Sequence, residues 1–308
     1  MEKTAFIYPG QGSQTVGMGI SLVEQYPQAA DIFEKASALA GYDMIELCAN
    51  GPVEKLSRTL YTQPALFTVE AAITDVLKVN GIEPAFAAGH SLGEYGAWYA
   101  ANVFSFEDGF KLVSERGQLM DEADPEGIGT MSAVIGLSRD IVESVCKNTD
   151  GIVVVANCNS PLQHVISGEK GAVDQAGKEL KAKGAKRVLP LKVSGAFHSP
   201  LMENALSQFT ETVNNTSISE AVIPVYANVT ASPVKKADEI RTLMIQQLVS
   251  TVRWTETVQA FKKGGISRFF ETGPGQVLAG LLKRIDASLD VRSVSGVDEI
   301  QELNKERS

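Results

Sequence analysis

The chain has 308 residues, of which 44% are hydrophobic and 21% charged, a composition typical of globular proteins that excludes a disordered chain. The 28 basic and 37 acidic residues give a net charge of −9, which disfavours nucleic acid as a partner. No apolar run reaches the ~20 residues of a membrane-spanning helix and no signal-peptide pattern is present, so we expect a cytoplasmic protein without membrane contact.

Strand-like and helical segments alternate in the first third and the last quarter of the chain. The predicted elements are, in order, a strand at Thr4–Tyr8, a helical pattern over 22–33, a helix over 65–79, a strand over 85–88, a helix from 92 to about 101, a strand over 266–271 and a helix from 277. This alternation predicts an α/β fold with a mainly parallel sheet and helices on both faces.

The middle of the chain has a different order of elements. Strands are predicted over 130–136, 152–156, 163–167 and 186–191, and helices over 138–147 and 172–183. This βαββαβ order is the ferredoxin-like pattern. We therefore expect a small domain, residues 127–193, inserted into a large domain formed by 1–126 and 194–308. Hinges are expected at 124–127 and 194–195, and a cleft between the domains would be a common kind of ligand site.

A G-x-S-x-G motif, Gly89-His90-Ser91-Leu92-Gly93, joins the predicted strand 85–88 to the following helix. Small residues at both ends allow a tight turn that exposes the serine hydroxyl, and the helix N-terminus offers amides to an oxyanion. The motif therefore indicates that Ser91 is a nucleophile, the alternative being a purely structural turn. A serine nucleophile needs a base to react near neutral pH.

Three histidines are candidates for that base. His90 adjoins the nucleophile on a turn, where neighbouring side chains diverge, and is interpreted as supporting the loop. His164 falls in a predicted strand of the small domain. His198, in a loop-like stretch just after that domain, remains as the general base.

The turn Gly10-Gln11-Gly12-Ser13-Gln14 resembles a dinucleotide fingerprint but fails the test, because Thr15 stands where the last glycine of G-x-G-x-x-G belongs. We interpret it as a loop whose amides, that of Gln11 in particular, face the reaction centre opposite the amide of Leu92. Two amides converging on one oxygen stabilise a tetrahedral intermediate. A simple strand-to-helix turn remains the alternative.

Arg116 lies on a helix that Ser105 is expected to cap, with Asp108 completing the capping box. The residues three and four positions away on either side of Arg116 are all apolar: Leu112, Val113, Leu119 and Met120. An arginine in an apolar stripe needs an anion, because a buried unpaired charge is too unfavourable. That anion is either a structural Asp or Glu or the carboxylate of a substrate, which guanidinium binds well.

Taken together, these residues resemble the malonyl-CoA:acyl-carrier-protein transacylase family over nearly the whole chain. The stretches that carry the resemblance are residues 6–14, 63–65, 89–95, 116–117, 157–161, 195–199, 247–248 and 271–275. The resemblance implies a hydrolase-like large domain with a ferredoxin-like small one, and no bound cofactor or metal.

The resemblance also implies a mechanism. Ser91 would attack malonyl-CoA with His198 as base, the amides of Gln11 and Leu92 would hold the oxyanion, and Arg116 would bind the malonyl carboxylate. The phosphopantetheine thiol of an acyl carrier protein would then collect the malonyl group. Two further roles would fall to Gln247, whose backbone carbonyl orients the histidine, and to Phe197, which selects malonyl over branched acyl groups.

The chain departs from the family at two places. Trp98 and Tyr99 replace smaller residues after the nucleophile and either line the cleft or pack in the core; we expect packing. Thr251 replaces a common proline near Gln247. We expect a monomer that serves fatty acid synthesis, the alternatives being a malonyltransferase of polyketide synthesis, an acyl hydrolase and a catalytically inactive carrier-binding scaffold.

Overall fold

A computed structural model describes residues 3–124 and 126–307. Its strands are β1 Thr4–Tyr8, β2 Phe86–Gly89, β3 Gly129–Ile135, β4 Val153–Ser160, β5 Gln163–Glu169, β6 Arg187–Pro190, β7 Val225–Tyr226, β8 Pro233–Val234, β9 Arg268–Thr272 and β10 Asp290–Val294. Its helices are α1 Ile20–Gln25, α2 Pro27–Ala40, α3 Met44–Asn50, α4 Val53–Leu56, α5 Thr59–Val79, α6 Gly93–Ala100, α7 Phe106–Glu122, α8 Arg139–Asn148, α9 Lys170–Ala182, α10 Glu203–Asn215, α11 Ala237–Gln247, α12 Trp254–Lys263, α13 Val277–Ile285 and α14 Val297–Arg307, with a 3₁₀ turn at Pro200–Met202.

The larger of two sheets has the strand order β10-β9-β1-β2-β7-β8. All neighbours pair in parallel except β7 and β8, which are antiparallel. Its central strand β1 is buried from Ala5 to Tyr8, as expected for a parallel strand covered by helices on both faces. The mixed α/β class with a mainly parallel sheet is thus confirmed.

The smaller sheet has the order β4-β5-β3-β6, and each neighbouring pair is antiparallel. Helices α8 and α9 complete the element order βαββαβ between residues 129 and 190. Of the expected entry hinge at 124–127, Pro125 lies outside the described residues.

Residues 251–255 connect the two sheets. Val252 forms a parallel bridge with Asn157 of β4, through a bond of 2.8 Å from its N–H to the carbonyl of Ala156 and one of 2.9 Å from the N–H of Cys158. Thr251 Oγ1 also donates to the carbonyl of Val155 at 2.6 Å. The segment that follows α11 is therefore anchored to the edge of the small sheet.

Two predicted helices have different bounds. The pattern over 22–33 is interrupted at Tyr26, which is extended with φ −124°, because Pro27 starts α2 and disfavours a helical residue before it. The helix predicted from residue 65 begins at Thr59 and runs through Pro64. Its first turns are stabilised by tertiary burial: Thr62 Oγ1 donates to Leu56 and Gln63 is 1% exposed.

Candidate active site

Ser91 lies at the carboxyl end of β2, on a turn that only glycine neighbours permit. Its φ is 54°, in the left-handed region that non-glycine residues rarely adopt. A Cβ on Gly89 would lie 1.9 Å from the backbone of Gly93, and one on Gly93 would lie 2.1 Å from the carbonyl oxygen of Tyr8. The two glycines of the motif therefore let the turn pack against itself and against β1, which exposes the serine hydroxyl.

The His198 imidazole is hydrogen-bonded on both sides. Its Nε2 lies 2.7 Å from Ser91 Oγ, and its Nδ1 lies 2.9 Å from the backbone carbonyl oxygen of Gln247. Because a carbonyl only accepts, Nδ1 carries the proton in the neutral ring, and Nε2 is left with a lone pair that accepts from the serine. This is the tautomer that a general base requires.

Electrostatics keep this imidazole neutral. His198 is 4% exposed. Burial and, after it, the positive charge of Arg116 lower the pKa of His198 to about 3, against an opposing effect of the hydrogen bond to Gln247. At neutral pH the ring is therefore present in the form that can accept a proton.

Arg116 projects from α7 into the same site, and Ser105 caps this helix by accepting from the N–H of Asp108. The guanidinium is held by neutral oxygens: Nη1 donates to Gln63 Oε1 at 2.8 Å, and Nη2 donates to Gln247 Oε1 at 3.0 Å and to Ser91 Oγ at 3.2 Å.

The structural Asp or Glu that the sequence left open as a partner is not in direct contact with Arg116. Among the described residues no carboxylate forms an ion pair with it, its Nε has no hydrogen-bond partner, and its side chain is 1% exposed. Burial lowers the pKa of Arg116, and the charge of Glu94 acts in the opposite direction, more weakly and without such a contact. The positive charge therefore stays available beside the serine hydroxyl.

The loop after β1 meets the serine turn from the other side. A Cβ on Gly10 would lie 2.4 Å from the carbonyl oxygen of His90, so the two backbones touch. Gln11 side-chain Nε2 donates to Thr59 at 3.1 Å, which holds this loop on α5. Within residues 3–124 and 126–307, the main-chain N–H groups of Gln11 and Leu92 donate to no protein acceptor, and both residues line the cleft. Two free amides thus border the serine.

A cleft of about 110 Å³ contains these groups. The residues that line it are Gln11, Gln63, His90, Ser91, Leu92, Arg116, Met120, Met131, Asn157, Leu191, Val193, Phe197 and His198. Parts of the chain near both sheets line the cleft: Met131 lies on β3 of the smaller sheet, and Phe197 lies in the segment that returns to the larger sheet. The wall around the serine is mostly apolar.

Three buried side chains without a predicted role support the site. Asn228 Oδ1 accepts from the N–H of Ser91 at 2.8 Å, and its Nδ2 donates to the carbonyl of Gly89 at 2.6 Å. Glu94 accepts from the N–H of Asn228 and from Gln247 Nε2. Gln63 and Glu94 lie within the stretches that carry the family resemblance, but Asn228 belongs to no motif, so no pattern pointed to it.

The remaining histidines occupy other positions. His90 Nε2 donates to Asn159 Oδ1 at 2.7 Å and its ring packs edge-on against Trp254. These contacts agree with the prediction that His90 supports the loop that carries Ser91. His164 is 1% exposed in β5 and does not line the cleft.

The two departures from the family pattern also have structural outcomes. Trp98 is fully buried in the core, and Tyr99 packs against Phe67 while its hydroxyl donates to Asp75, so both rings pack rather than line the cleft. Thr251 donates a hydrogen bond to the smaller sheet, and the backbone carbonyl of Gln247 accepts from His198 although Thr251 replaces the common proline.

In the part of the chain that the structure describes, no group of three or more His, Cys, Asp or Glu side chains is arranged to hold a metal ion. No described helix is long and apolar enough to span a bilayer. Among the described residues the site offers a serine paired with a neutral imidazole, two main-chain N–H groups without an acceptor and an arginine without a direct ion pair, which suits acyl transfer to or from an anionic acyl group.

Comparison with known proteins agrees with this chemistry. Residues 5–300 match the family model described as an acyl transferase domain. A malonyl CoA-acyl carrier protein transacylase of Haemophilus influenzae is 45% identical over 301 residues, which cover 96% of both chains. Its counterpart in Bacillus subtilis is 41% identical over 304 residues, 98% of this chain and 96% of that one.

Solved structures are similar as well. The malonyl CoA-acyl carrier protein transacylase of Coxiella burnetii superposes with a TM-score of 0.96 at 41% identity, covering 99% of this chain and 97% of that one. A malonyl-transacylase solved in complex with a type II PKS acyl-carrier protein gives a TM-score of 0.96 at 40% identity, covering 99% and 100%.

Proposed function

This chain belongs to the acyl transferase domain family, alongside the malonyl CoA-acyl carrier protein transacylases, and on that basis we propose that it transfers malonyl groups from malonyl-CoA to the phosphopantetheine thiol of an acyl carrier protein. The reaction proceeds in two halves through a malonyl ester of Ser91. The observation that carries the proposal is that Ser91 Oγ is hydrogen-bonded both to a neutral imidazole and to an arginine that forms no direct ion pair with a described carboxylate.

In the first half, Ser91 Oγ attacks the thioester carbonyl while its proton moves to His198 Nε2. The C–S bond then breaks, and the departing CoA sulfur takes that proton, which leaves malonyl-Ser91 and free CoA. In the second half the carrier thiol gives its proton to Nε2 and attacks the ester, and Ser91 Oγ regains a proton as it leaves. The bond from Nδ1 to the Gln247 carbonyl holds the imidazole in place throughout.

The negative oxygen of each tetrahedral intermediate is assigned to the amides of Gln11 and Leu92. Support comes from the contact between the two loops that carry them and from the lack of a described protein acceptor for either main-chain N–H. An amide donor aimed at a developing oxyanion contributes on the order of 3 kcal/mol to the lowering of the barrier.

The malonyl carboxylate is assigned to Arg116. Three covalent bonds separate Oγ from the carboxylate carbon of a malonyl ester, so this carbon lies within about 4 Å of Oγ. Nη2 of Arg116 lies 3.2 Å from the same Oγ, which suits this short diacid. The side chains of Phe197 and Met131 form part of the apolar wall of the cleft. The bulk of Phe197 at this wall supports its proposed role in selecting malonyl over branched acyl groups.

We assign the large unit, residues 1–126 and 194–308, to a hydrolase-like domain and residues 127–193 to a ferredoxin-like one. The element order βαββαβ and the strand order β4-β5-β3-β6 support the second assignment. The parallel strands of the larger sheet and the serine turn after β2 support the first.

The proposed partners are malonyl-CoA and an acyl carrier protein, and the proposed state is a cytoplasmic monomer without a bound cofactor. The names of the relatives support the substrates, and three buried, unpaired cysteines support a reducing compartment. Fatty acid synthesis is the proposed pathway. Polyketide synthesis uses the same chemistry, and the relative in complex with a type II PKS carrier keeps it as the second candidate.

The direct test uses intact-mass spectrometry. Malonyl-CoA should leave a malonyl adduct on the wild-type protein and none on Ser91→Ala. The adduct should move to a phosphopantetheinylated carrier and not to the same carrier without phosphopantetheine. Water as the acceptor instead of the carrier thiol would identify an acyl hydrolase, and no adduct at all would identify an inactive scaffold. Carriers from the two pathways, compared at equal concentration, separate the pathway candidates.

A further inference from the structure

The side chain of Gln247 contacts three parts of the site, in addition to the carbonyl that orients His198. Its Oε1 accepts from Arg116 Nη2 at 3.0 Å. Its Nε2 donates to the carbonyl of Ser91 at 3.0 Å and to Glu94 Oε2. The residue is 1% exposed, so none of these contacts competes with bulk water.

The amide of a glutamine can be turned by 180°, which exchanges its oxygen and nitrogen. Arg116 only donates, so it needs the oxygen, whereas an ionised Glu94 only accepts and needs the nitrogen. The observed orientation satisfies both. The opposite one would direct an NH₂ group at the guanidinium and an oxygen at the carboxylate, both of them buried, which is unfavourable.

Glu94 is itself held in place. Its Oε1 accepts from the N–H of Asn228 at 3.0 Å, while the side chain of Asn228 bonds the serine turn. Glu94 also lies in the first turn of α6, directly after the nucleophile, and is 1% exposed. Its two oxygens are therefore committed to two donors.

We propose that Glu94 is a positioning residue for the carboxylate clamp: its carboxylate fixes the amide of Gln247 so that Oε1 holds Arg116 beside Ser91. This inference rests on the proposed malonyl transfer. The intervening amide keeps the carboxylate from pairing directly with the guanidinium, so the charge of Arg116 stays available to the substrate.

The ionised form is accessible under ordinary assay conditions. Burial raises the pKa of Glu94 to about 7, although the hydrogen bonds from Asn228 and Gln247 and the charge of Arg116 act in the opposite direction. Experiments are therefore best performed at pH 8, where the carboxylate form dominates.

The test is Glu94→Gln, assayed with malonyl-CoA and acetyl-CoA at pH 8. A glutamine at 94 accepts through one atom only, so either the N–H of Asn228 loses its acceptor or the amide of Gln247 turns over. We expect kcat/KM for malonyl-CoA to fall about tenfold or more, mainly through KM, because Arg116 is displaced. Transfer of the uncharged acetyl group should change less than about threefold, since it does not use the clamp.

The matched control is Glu271→Gln, the same change in a buried carboxylate that instead accepts from the N–H groups of Leu278 and Ala279 at the start of α13. It should lower stability and leave the malonyl-to-acetyl ratio unchanged. This control separates a general packing defect from displacement of Arg116.

Equal losses for both acyl donors in Glu94→Gln, or no loss, would overturn the inference. If that variant does not fold, Gln247→Met tests the same link, because it removes the side-chain amide and keeps the main-chain carbonyl. A malonyl-selective loss again supports the inference and an equal loss overturns it. Failure of the wild-type protein to transfer malonyl would instead count against the proposed function.

Discussion

Nε2 of His198 lies 2.7 Å from Oγ of Ser91, although 107 positions separate the two residues in the chain. Both residues have positive φ, 54° for Ser91 and 58° for His198. The chain between them includes the whole of the small sheet, from β3 to β6. The proposed nucleophile and its proposed base therefore come together only when both sheets have formed and the chain has returned from the second to the first.

Replacement of Arg116 tests the clamp. Arg116→Ala should reduce kcat/KM for malonyl-CoA by about 100-fold or more, since a buried charge pair with the substrate is lost, and should reduce acetyl transfer far less. Arg116→Lys keeps the charge but not the fork of donors, so its malonyl activity should lie between those of the wild type and the alanine variant. Parallel losses with the two acyl donors would show that Arg116 is structural.

The low pKa of His198 predicts an unusual pH profile for the reactivity of Ser91. A base whose pKa is lowered to about 3 keeps its proton-accepting form as the pH falls, so serine reactivity should persist well below pH 6.5. The measurement is the rate at which an uncharged reagent such as phenylmethanesulfonyl fluoride modifies Ser91 between pH 4 and 8. With an imidazole of ordinary pKa as the base, this rate would fall to half its maximum at about pH 6.5.

A modification rate that falls to half its maximum at about pH 6.5 (the half-point) would contradict the lowered pKa of His198. Arg116→Ala supplies the control. Because the charge of Arg116 lowers the pKa of His198, its removal should move the half-point upward, never downward.

Replacement of the buried Glu70 should stabilise the fold. It is fully buried in α5, and neither of its carboxyl oxygens has a hydrogen-bond partner among the described residues. Burial raises its pKa well above the usual value, so the folded state retains a proton that the unfolded state releases as the pH rises above about 4.5. Its contribution to stability is therefore greatest at low pH and declines toward pH 8.

Glu70→Gln removes this pH dependence with almost no change in volume. We expect an increase in the free energy of unfolding of about 1 kcal/mol or more at pH 8, and a smaller difference at pH 5. Urea unfolding at both pH values measures it. An unchanged or lower stability of the variant at pH 8 would contradict the absence of a partner for this carboxyl.

Thr251→Val tests how the loop after Gln247 is held. Loss of the hydroxyl removes the bond to the carbonyl of Val155 and should lower stability by about 1 kcal/mol. Malonyl transfer should stay within about threefold of the wild type, since the two backbone bonds of Val252 remain. Thr255→Val is the matched control, because it removes a similar bond to the carbonyl of Cys158. A much larger loss of activity in the first variant alone would assign catalytic alignment to Thr251.

The sequence predicted the α/β class and the residues that surround the cleft because each of these features has a local signal. Ser91 lies in a glycine-flanked motif, Arg116 interrupts an apolar stripe, and His198 could be selected from only three histidines. A local pattern is enough where the required backbone or environment is itself local.

The support around these residues could not be predicted in the same way. Asn228 lies in a segment without a motif, and the resemblance gave a role only to the backbone carbonyl of Gln247, not to its side chain; only the tertiary fold makes these two polar side chains buried. Their partners lie 137 and 131 positions away, on the serine turn and on α7. The start of α5 was missed for a related reason, because long-range burial, not local propensity, extends it upstream of Pro64.

No carboxylate of residues 3–124 or 126–307 contacts Arg116 directly, which has a consequence for the interval between the two half-reactions. After CoA has left, the acyl group must wait on the enzyme until a carrier arrives. In the proposed reaction Arg116, which the amide oxygens of Gln63 and Gln247 hold in place, remains bound to the distal carboxylate of that acyl group for the whole wait, so it limits the swing of the ester toward water. The proposed clamp would thus both select the acyl donor and protect the intermediate.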